Sequence, residues 1–398
     1  MTRQTVCKHN ILQMENFDSK IYQGETDFRS AADAFAMQIA PTRAFESGRL
    51  YEYNGLNILD LRGSWYEMGR QYGQLASHLL KDVYYNFMLP NMEREPDREP
   101  FVREVADKLY RYYPHRLRQL FAGMAETSEL SLEQLKIVNV VEFSAAVFNC
   151  SAMAVWGDYA AGNLVYGRNY DAPGFLPLGK DVLLVTYHPS DGSLATATIG
   201  YAGEIYAVNG INEKGIFLEL NNGMPSGGTE ILYDRLASTV ELLTMLLDAD
   251  SLDYADAFFR TVKGFASYTI GMADAREARS YEWCARGVAR APLTADGLMV
   301  MTNHYVSDQW DFAQPDDVQS WGSLTRCANL TSLAEQNRGA IDAHLMCQMM
   351  QTPIENGGPC HECTVYQLVF EPQTMRLHVR INGVTSWQQV NLEKTLLQ

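Results

Sequence analysis

From residue 50 onward, the apolar and polar positions fall into periods that predict discrete elements. LYEYN and LNILDL, split by Asn54-Gly55, read as two short strands around the dipeptide that best tolerates positive φ. In GSWYEMGRQYGQLASHLLKDVYYNFMLP the period becomes helical. Ser64 is the N-cap, Glu67 completes a capping-box spacing, and Tyr66, Gly69, Tyr72 and Gly73 share one face. Small residues on that face predict the close approach of another element. FVREVADKLYRYYPHRLRQLFAGMAETSEL and SLEQLKIVNVVEFSAAVF continue as helices, the second opening at Ser131 with Glu133 and Gln134 in its first turn. Residues 1–49 lack a strong period and read as a partly irregular arm with one helix near SAADAFAMQIA.

After Cys150 the pattern shortens. CSAMAVWG, NLVYGRN, DVLLVTYH, LATATIGYA, IYAVNG and IFLELNN are strand-like runs rich in β-branched and aromatic residues, punctuated by AAGN, PSDGS and NEKG turns. Helical periodicity returns in TEILYDRLASTVELLTMLLDA and DYADAFFRTVKG, followed by strands at FASYTIGMAD, RSYEWCA, GVARAPL and LMVMTN. Two further helices, in VQSWGSLTRCANLTSLAEQ and DAHLMCQMM, precede a closing pair, TVYQLVFEP and MRLHVRI. This order predicts an α+β fold in which helices cover both faces of two antiparallel sheets. It divides the chain into an arm (1–49), a mainly helical segment (50–149) and a β-rich domain (150–398).

Composition narrows the class. At 398 residues the chain suits one or two intimately packed units. With 46% hydrophobic and 20% charged residues, and no apolar run near the length of a membrane span, disorder and a transmembrane helix are both disfavoured. The start, MTRQTVCKHNILQMENF, lacks a secretory signal pattern. Cysteines at 7, 150, 284, 327, 347, 360 and 363 form an odd, scattered set that fits a reducing, cytoplasmic setting. A formal charge of −16 with no basic stripe argues against nucleic acid as a partner.

The candidate chemistry centres on Cys150. Taken alone, an apolar-flanked cysteine is most often an inert core residue. This one lies where helix gives way to strand, and cleavage of the Asn149-Cys150 bond would make it N-terminal. Its own α-amine, of ordinary pKa about 7.7 to 8.0, would then serve as general base beside the thiol. The hairpin CSAMAVWG/NLVYGRN returns Arg168 and Asp171 towards it; an arginine favours a thiolate, and a carboxylate orients an amine. Plainer readings stand beside these: Arg168 and Asp171 as a surface ion pair, Asn221 and Asn303 as turn caps, Arg326 as a solvated helix residue. A rival lies in CHEC, where Cys360 and Cys363 could bind zinc or exchange a disulfide, although no second ligand pair follows.

The run from Cys150 through GRNYD resembles the start of the catalytic chain in cysteine N-terminal-nucleophile (Ntn) hydrolases. These are the relatives of choloylglycine hydrolase, penicillin V acylase and acid ceramidase, and above all the peptidase C45 group that includes acyl-CoA:6-aminopenicillanic acid acyltransferase. ILDLRGSWYEMGRQYG, ELSLEQLKIVNVVEF, NGINEKGIFLELNN, VMTNH, SLTR and TVYQLVFEP are similar to further stretches of that group, in the same order. The resemblance implies a four-layer α/β/β/α sandwich, with residues 50–149 as prosegment or retained subunit. It implies Cys150 as nucleophile and, through its amine, base, after autocatalytic cleavage following Asn149. Arg168 and Asp171 would tune and orient it, Asn221 (with Asn222 as rival) and Asn303 would stabilise the oxyanion, and Arg326 would organise the site. No cofactor or metal is implied. The partner would be a small-molecule N-acyl substrate, with acyl-CoA as a candidate donor; a homo-oligomer is open on the sequence. Two positions depart: Asn149 stands where relatives have glycine, and Ser151 replaces a threonine. The alternative functions are a processing-defective Ntn-like binding protein and a thiol or zinc protein using Cys360 and Cys363.

Overall fold

β1 (Arg43–Phe45), β2 (Gly48–Tyr53) and β3 (Leu56–Gly63) form an antiparallel meander whose second turn is the expected Asn54-Gly55, with φ of 47° and 87°. They come from a computed structural model that describes residues 40–94, 97–144, 149–226, 231–291, 293, 296–312, 315–318 and 320–397. The helix expected near residues 30–40 lies, but for its last residue, outside the described residues.

The helical segment starts as its caps predict. Ser64 N–H donates to Glu67 Oε2 at 2.7 Å and Ser64 Oγ accepts from Glu67 N–H at 3.3 Å, opening α1 (Trp65–Leu75). The single long helix read from the pattern is instead broken into α2 (Ser77–Asp82), a π-helical stretch (Val83–Met88) and α3 (Leu89–Glu93). Pro90 accounts for the irregular turn around Asn86, since it has no N–H for the preceding turn and crowds the carbonyl four residues back, while the break between α1 and α2 falls at Ala76, with φ of −101° and ψ of 12°. α4 (Arg98–Arg111), α5 (His115–Thr127) and α6 (Leu132–Val138) follow, the last with its own Ser131–Gln134 capping box. α1 lies against α5 backbone to backbone. A Cβ at Gly69 would stand 2.1 Å from Leu120 O, and one at Gly123 2.2 Å from Tyr66 O, so no side chain fits at either crossing point.

Beyond Cys150 run β4 (Ser151–Val155), β5 (Val165–Asp171), β6 (Val182–Pro189), β7 (Thr196–Tyr201), β8 (Asn209–Asn212) and β9 (Phe217–Asn222). Next come α7 (Ser238–Leu246), α8 (Leu252–Thr261), β10 (Tyr268–Ala273), β11 (Ala278–Cys284), β12 (Gly287–Arg290) and β13 (Leu298–Met301). The chain ends with α9 (Ser323–Gln336), α10 (Ala343–Gln351), β14 (Thr364–Glu371), β15 (Arg376–Ile381), β16 (Gln388–Asn391) and α11 (Leu392–Leu396). α7 is shorter than its pattern, which extended the helix back over residues 231–237.

The strands gather into two sheets, ordered β1-β2-β3-β6-β7-β8-β9-β10-β11-β12 and β13-β4-β5-β14-β15-β16. The smaller is antiparallel throughout, as expected. The larger corrects the expectation: β3 runs parallel to β6, from Asn57 opposite Leu183 to Gly63 opposite Pro189. The chain between them passes through α1 to α6 and the β4/β5 hairpin of the other sheet, the long crossover a parallel pair requires. Residues before Cys150 therefore supply three strands of the larger sheet.

The two sheets face one another. Tyr166 OH reaches Glu219, Asn209 Nδ2 donates to Tyr366 OH at 2.7 Å, and Phe217 stacks on Phe370 across the gap. Helices cover the outer faces. Met346 of α10 presses on Gly167 of β5, and Leu246 of α7 on Gly210 of β8, each so closely that a Cβ would collide. This is the expected α/β/β/α sandwich.

Candidate active site

The register of β4 on β5, Ser151 opposite Asn169 and Ala152 opposite Arg168, puts Cys150 just before β4 on the face that carries Arg168. Cys150 is 1% exposed, and its Sγ lies 3.5 Å from Arg168 Nη2. Three further groups fix the guanidinium: Val208 O at 2.8 Å, Leu220 O at 2.7 Å and Glu219 Oε2 at 2.8 Å. Asp171, at the end of β5, accepts Asn149 N–H on its backbone carbonyl at 2.9 Å. Its Oδ1 accepts from Thr364 Oγ1 at 2.5 Å, whereas Oδ2, 3.9 Å from Arg326 Nη1, is buried without a hydrogen bond.

Arg326 gathers the remaining pieces. From α9 its Nη1 donates to Cys150 O at 2.6 Å and its Nη2 to Asn303 Oδ1 at 2.7 Å. Asn303, just past β13, donates its Nδ2 to Asn222 O at 2.8 Å and its backbone N–H to Ser323 Oγ at 2.9 Å. Trp321 and Gly322, both left-handed with φ of 55° and 71°, turn the chain so that α9 begins at Ser323 against that strand end. Cys150, Arg168, Asp171, Asn303 and Arg326 thus form one connected cluster. Asn221 joins it through Glu219, whose Oε1 lies 3.4 Å from Asn221 Nδ2, and Asn221 Oδ1 is buried without a partner. Asn222 instead caps a turn, accepting Met224 N–H on Oδ1 at 3.0 Å.

The surface readings fail. Arg168, Asp171 and Arg326 each have 0% exposure, and Arg168 pairs with Glu219 rather than Asp171. CHEC is a turn behind Asp171, with Cys363 Sγ 3.1 Å from His361 Nδ1. Among the described residues, no group of three or more His, Cys, Asp or Glu converges as a metal ligand set.

Burial sets the electrostatics. It pushes the Cys150 thiol up to about 11, with Arg168 pulling the other way, so the intact chain holds a thiol there. It pushes Asp171 up to about 6 against the pull of Arg326, and Glu219 up to about 7 against that of Arg168. Desolvation opposes the Arg168 charge, but Glu219 and Cys150 outweigh it and hold Arg168 above the ordinary arginine range. Glu219, Thr364 and Ser323 were missed from sequence. Glu219 had a signal, a carboxylate two residues from Asn221 in the strand FLELNN, hence on the same face.

A cysteine at the head of a strand, between two facing sheets under helices and clasped by two buried arginines and an aspartate, defines the class of cysteine Ntn enzymes. The chain belongs to the acyl-coenzyme A:6-aminopenicillanic acid acyl-transferase family, whose model matches residues 160–384, more than half of its length. The match includes Arg168, Asp171, Asn221, Asn303 and Arg326 and begins ten residues after Cys150. The family acts on C–N amide bonds, and the chain is an enzyme of that type.

Solved structures similar to it include the Caenorhabditis elegans ortholog of N-acylethanolamine-hydrolyzing acid amidase, at 19% identity and TM-score 0.44, covering 56% of this chain and 93% of that one. Others are a mutant of conjugated bile acid hydrolase from Clostridium perfringens (10%, TM-score 0.39, 61% and 93%) and penicillin V acylase from Agrobacterium tumefaciens (9%, TM-score 0.38, 63% and 89%). No curated protein sequence matches significantly. No helix among the described residues is long and apolar enough to cross a membrane.

Proposed function

We propose that the protein is a cysteine-dependent Ntn amidohydrolase or N-acyltransferase that activates itself by cleavage between Asn149 and Cys150. In the first step, the Cys150 sulfur attacks the Asn149 carbonyl carbon, the peptide C–N bond breaks, and the thiol proton passes to the departing nitrogen. Water hydrolyses the resulting thioester, leaving a carboxylate on Asn149 and a free thiol and amine on Cys150. The same sulfur then attacks the carbonyl of a small-molecule N-acyl substrate, the α-amine carries the proton, and an acyl thioester forms as the amine product leaves. Water completes a hydrolase cycle; an acceptor amine completes a transferase cycle, with acyl-CoA as an alternative donor.

The observation that carries this reading is Asp171 Oδ2, a buried carboxylate oxygen without a hydrogen bond, on a residue tied by its backbone to Asn149 and linked through Arg326 to Cys150. A carboxylate oxygen left this way in an intact chain is costly unless a later donor arrives. The ammonium released at Cys150 is such a donor. Arg168, fixed on two backbone carbonyls, holds positive charge at the sulfur and favours its thiolate. Asn221 Nδ2 carries two protons, of which one goes to Glu219, and the reading assigns the other, together with the Asn303 amide whose oxygen Arg326 holds, to the oxyanion. Loss of either donor is expected to cost on the order of 100-fold in turnover. A cytoplasmic setting belongs to the reading, supported by the odd, scattered cysteine set.

The test is a screen for amines released from a panel of N-acyl compounds, run with wild type and Cys150→Ala. Release by wild type and none by the variant supports the reading. Equal release by both overturns it.

A further inference from the structure

Thr364 opens β14 and is fully buried. A β-bulge puts it where it is. Tyr366 pairs with Tyr170, yet Thr364, not Val365, lies opposite Asp171, so one extra residue in β14 re-aims the threonine at the carboxylate. The hydrogen bond between Thr364 Oγ1 and Asp171 Oδ1, at 2.5 Å, has its direction fixed by what else reaches the hydroxyl. His361 N–H donates to Oγ1 at 3.0 Å and Cys360 Sγ lies 3.7 Å away as a further donor, so the one hydroxyl proton is left for the carboxylate. His361 is held in turn by Cys363, whose N–H lies 3.3 Å and Sγ 3.1 Å from Nδ1, and by its ring against Trp321.

We infer that Thr364 is a positioning residue for the nucleophile's amine: it occupies Asp171 Oδ1, leaving Oδ2 as the acceptor for the nitrogen freed at Cys150, with the CHEC turn as its scaffold. The inference rests on Cys150 as an N-terminal nucleophile and gives CHEC a purpose other than metal or disulfide chemistry. Asp171 is faced by Arg326 from α9, Arg168 from its own strand, Cys150 ahead of β4, and Cys360 and Cys363 from the turn before β14. Thr364→Val leaves all of these in place and removes only the donor, so the carboxylate becomes harder to ionise.

The experiment follows the burst of para-nitrophenol released from para-nitrophenyl butyrate as a function of pH, in wild type, Thr364→Val and Thr364→Ser, with Cys150→Ala as the blank. In Thr364→Val the acidic limb of acylation moves up by on the order of one pH unit, with KM little changed, while Thr364→Ser keeps the wild-type limb. If the valine variant does not accumulate as folded protein, Thr364→Ala carries the same expectation. A limb that stays at the wild-type position without the hydroxyl, or one that moves as far with serine, overturns the inference. A Cys150→Ala protein that gives the wild-type burst removes the nucleophile and this inference together; an inert blank with an unmoved limb removes this inference alone.

Discussion

At Arg326 one side chain holds the Cys150 carbonyl, the Asn303 amide and, at 3.9 Å, the Asp171 carboxylate, with no exposure to water. Removing one partner of a fully buried charge pair strands the other, which typically costs about 3–5 kcal/mol. Arg326→Met should lower unfolding free energy in urea by about that amount and slow self-cleavage; a loss of less than about 1 kcal/mol would mean that Asp171 does not depend on it. Arg168 and Asp171 were legible in sequence through the hairpin spacing, and Arg326 only through the resemblance of SLTR to a stretch of the family. Thr364 was not, because a hydroxyl at the start of a strand leaves no periodic trace and the bulge that aims it is invisible in one chain. The two thiols of CHEC offered metal or disulfide chemistry only as a rival to a plain loop, and nothing in that loop's pattern showed that the turn holds a hydroxyl.

Among the elements, the α1/α5 pair makes the sharpest prediction. Gly69 was readable as a small residue permitting close approach, whereas Gly123 was not singled out; both face a partner's backbone, which cannot yield as a side-chain tip would. Gly123→Val should destabilise by about 1–3 kcal/mol or more. A valine variant with wild-type urea stability would show that the helices can separate at little cost. Caps and turns were legible for a physical reason: Ser64, Ser131 and Asn54-Gly55 act through bonds to residues a few positions away. Strand direction was not. A buried alternating strand reads the same from either neighbour, so the parallel β3/β6 contact, set by a crossover of more than a hundred residues, could not be read from pattern.

At the scale of the whole molecule, that pairing governs what cleavage can do. β1 to β3 belong to the larger sheet and Asn139 Oδ1 accepts Ile205 N–H at 2.7 Å, so residues before Cys150 should stay bound after the cut. The two pieces should co-elute on native gel filtration and part only in denaturant; separation in native buffer would contradict this. The buried acids give the molecule a pH dependence. Folding raises Asp171 to about 6 and Glu219 to about 7, so the folded chain binds protons more tightly than the unfolded one across the interval below those values. Their contribution is therefore greatest at the acidic end and is lost as pH rises through about 7. In an uncleaved Cys150→Ala background, the fall in Tm from pH 5 to pH 8 should shrink when Glu219→Gln is added. An equal fall in both proteins would show that Glu219 titrates alike in the folded and unfolded chains. The central claim is that Cys150 becomes the head of its own chain, and intact-mass spectrometry tests it most directly. The account predicts that wild type resolves into one piece ending at Asn149 and one beginning at Cys150, while Cys150→Ala stays whole; a wild-type protein that remains a single uncut chain would contradict it.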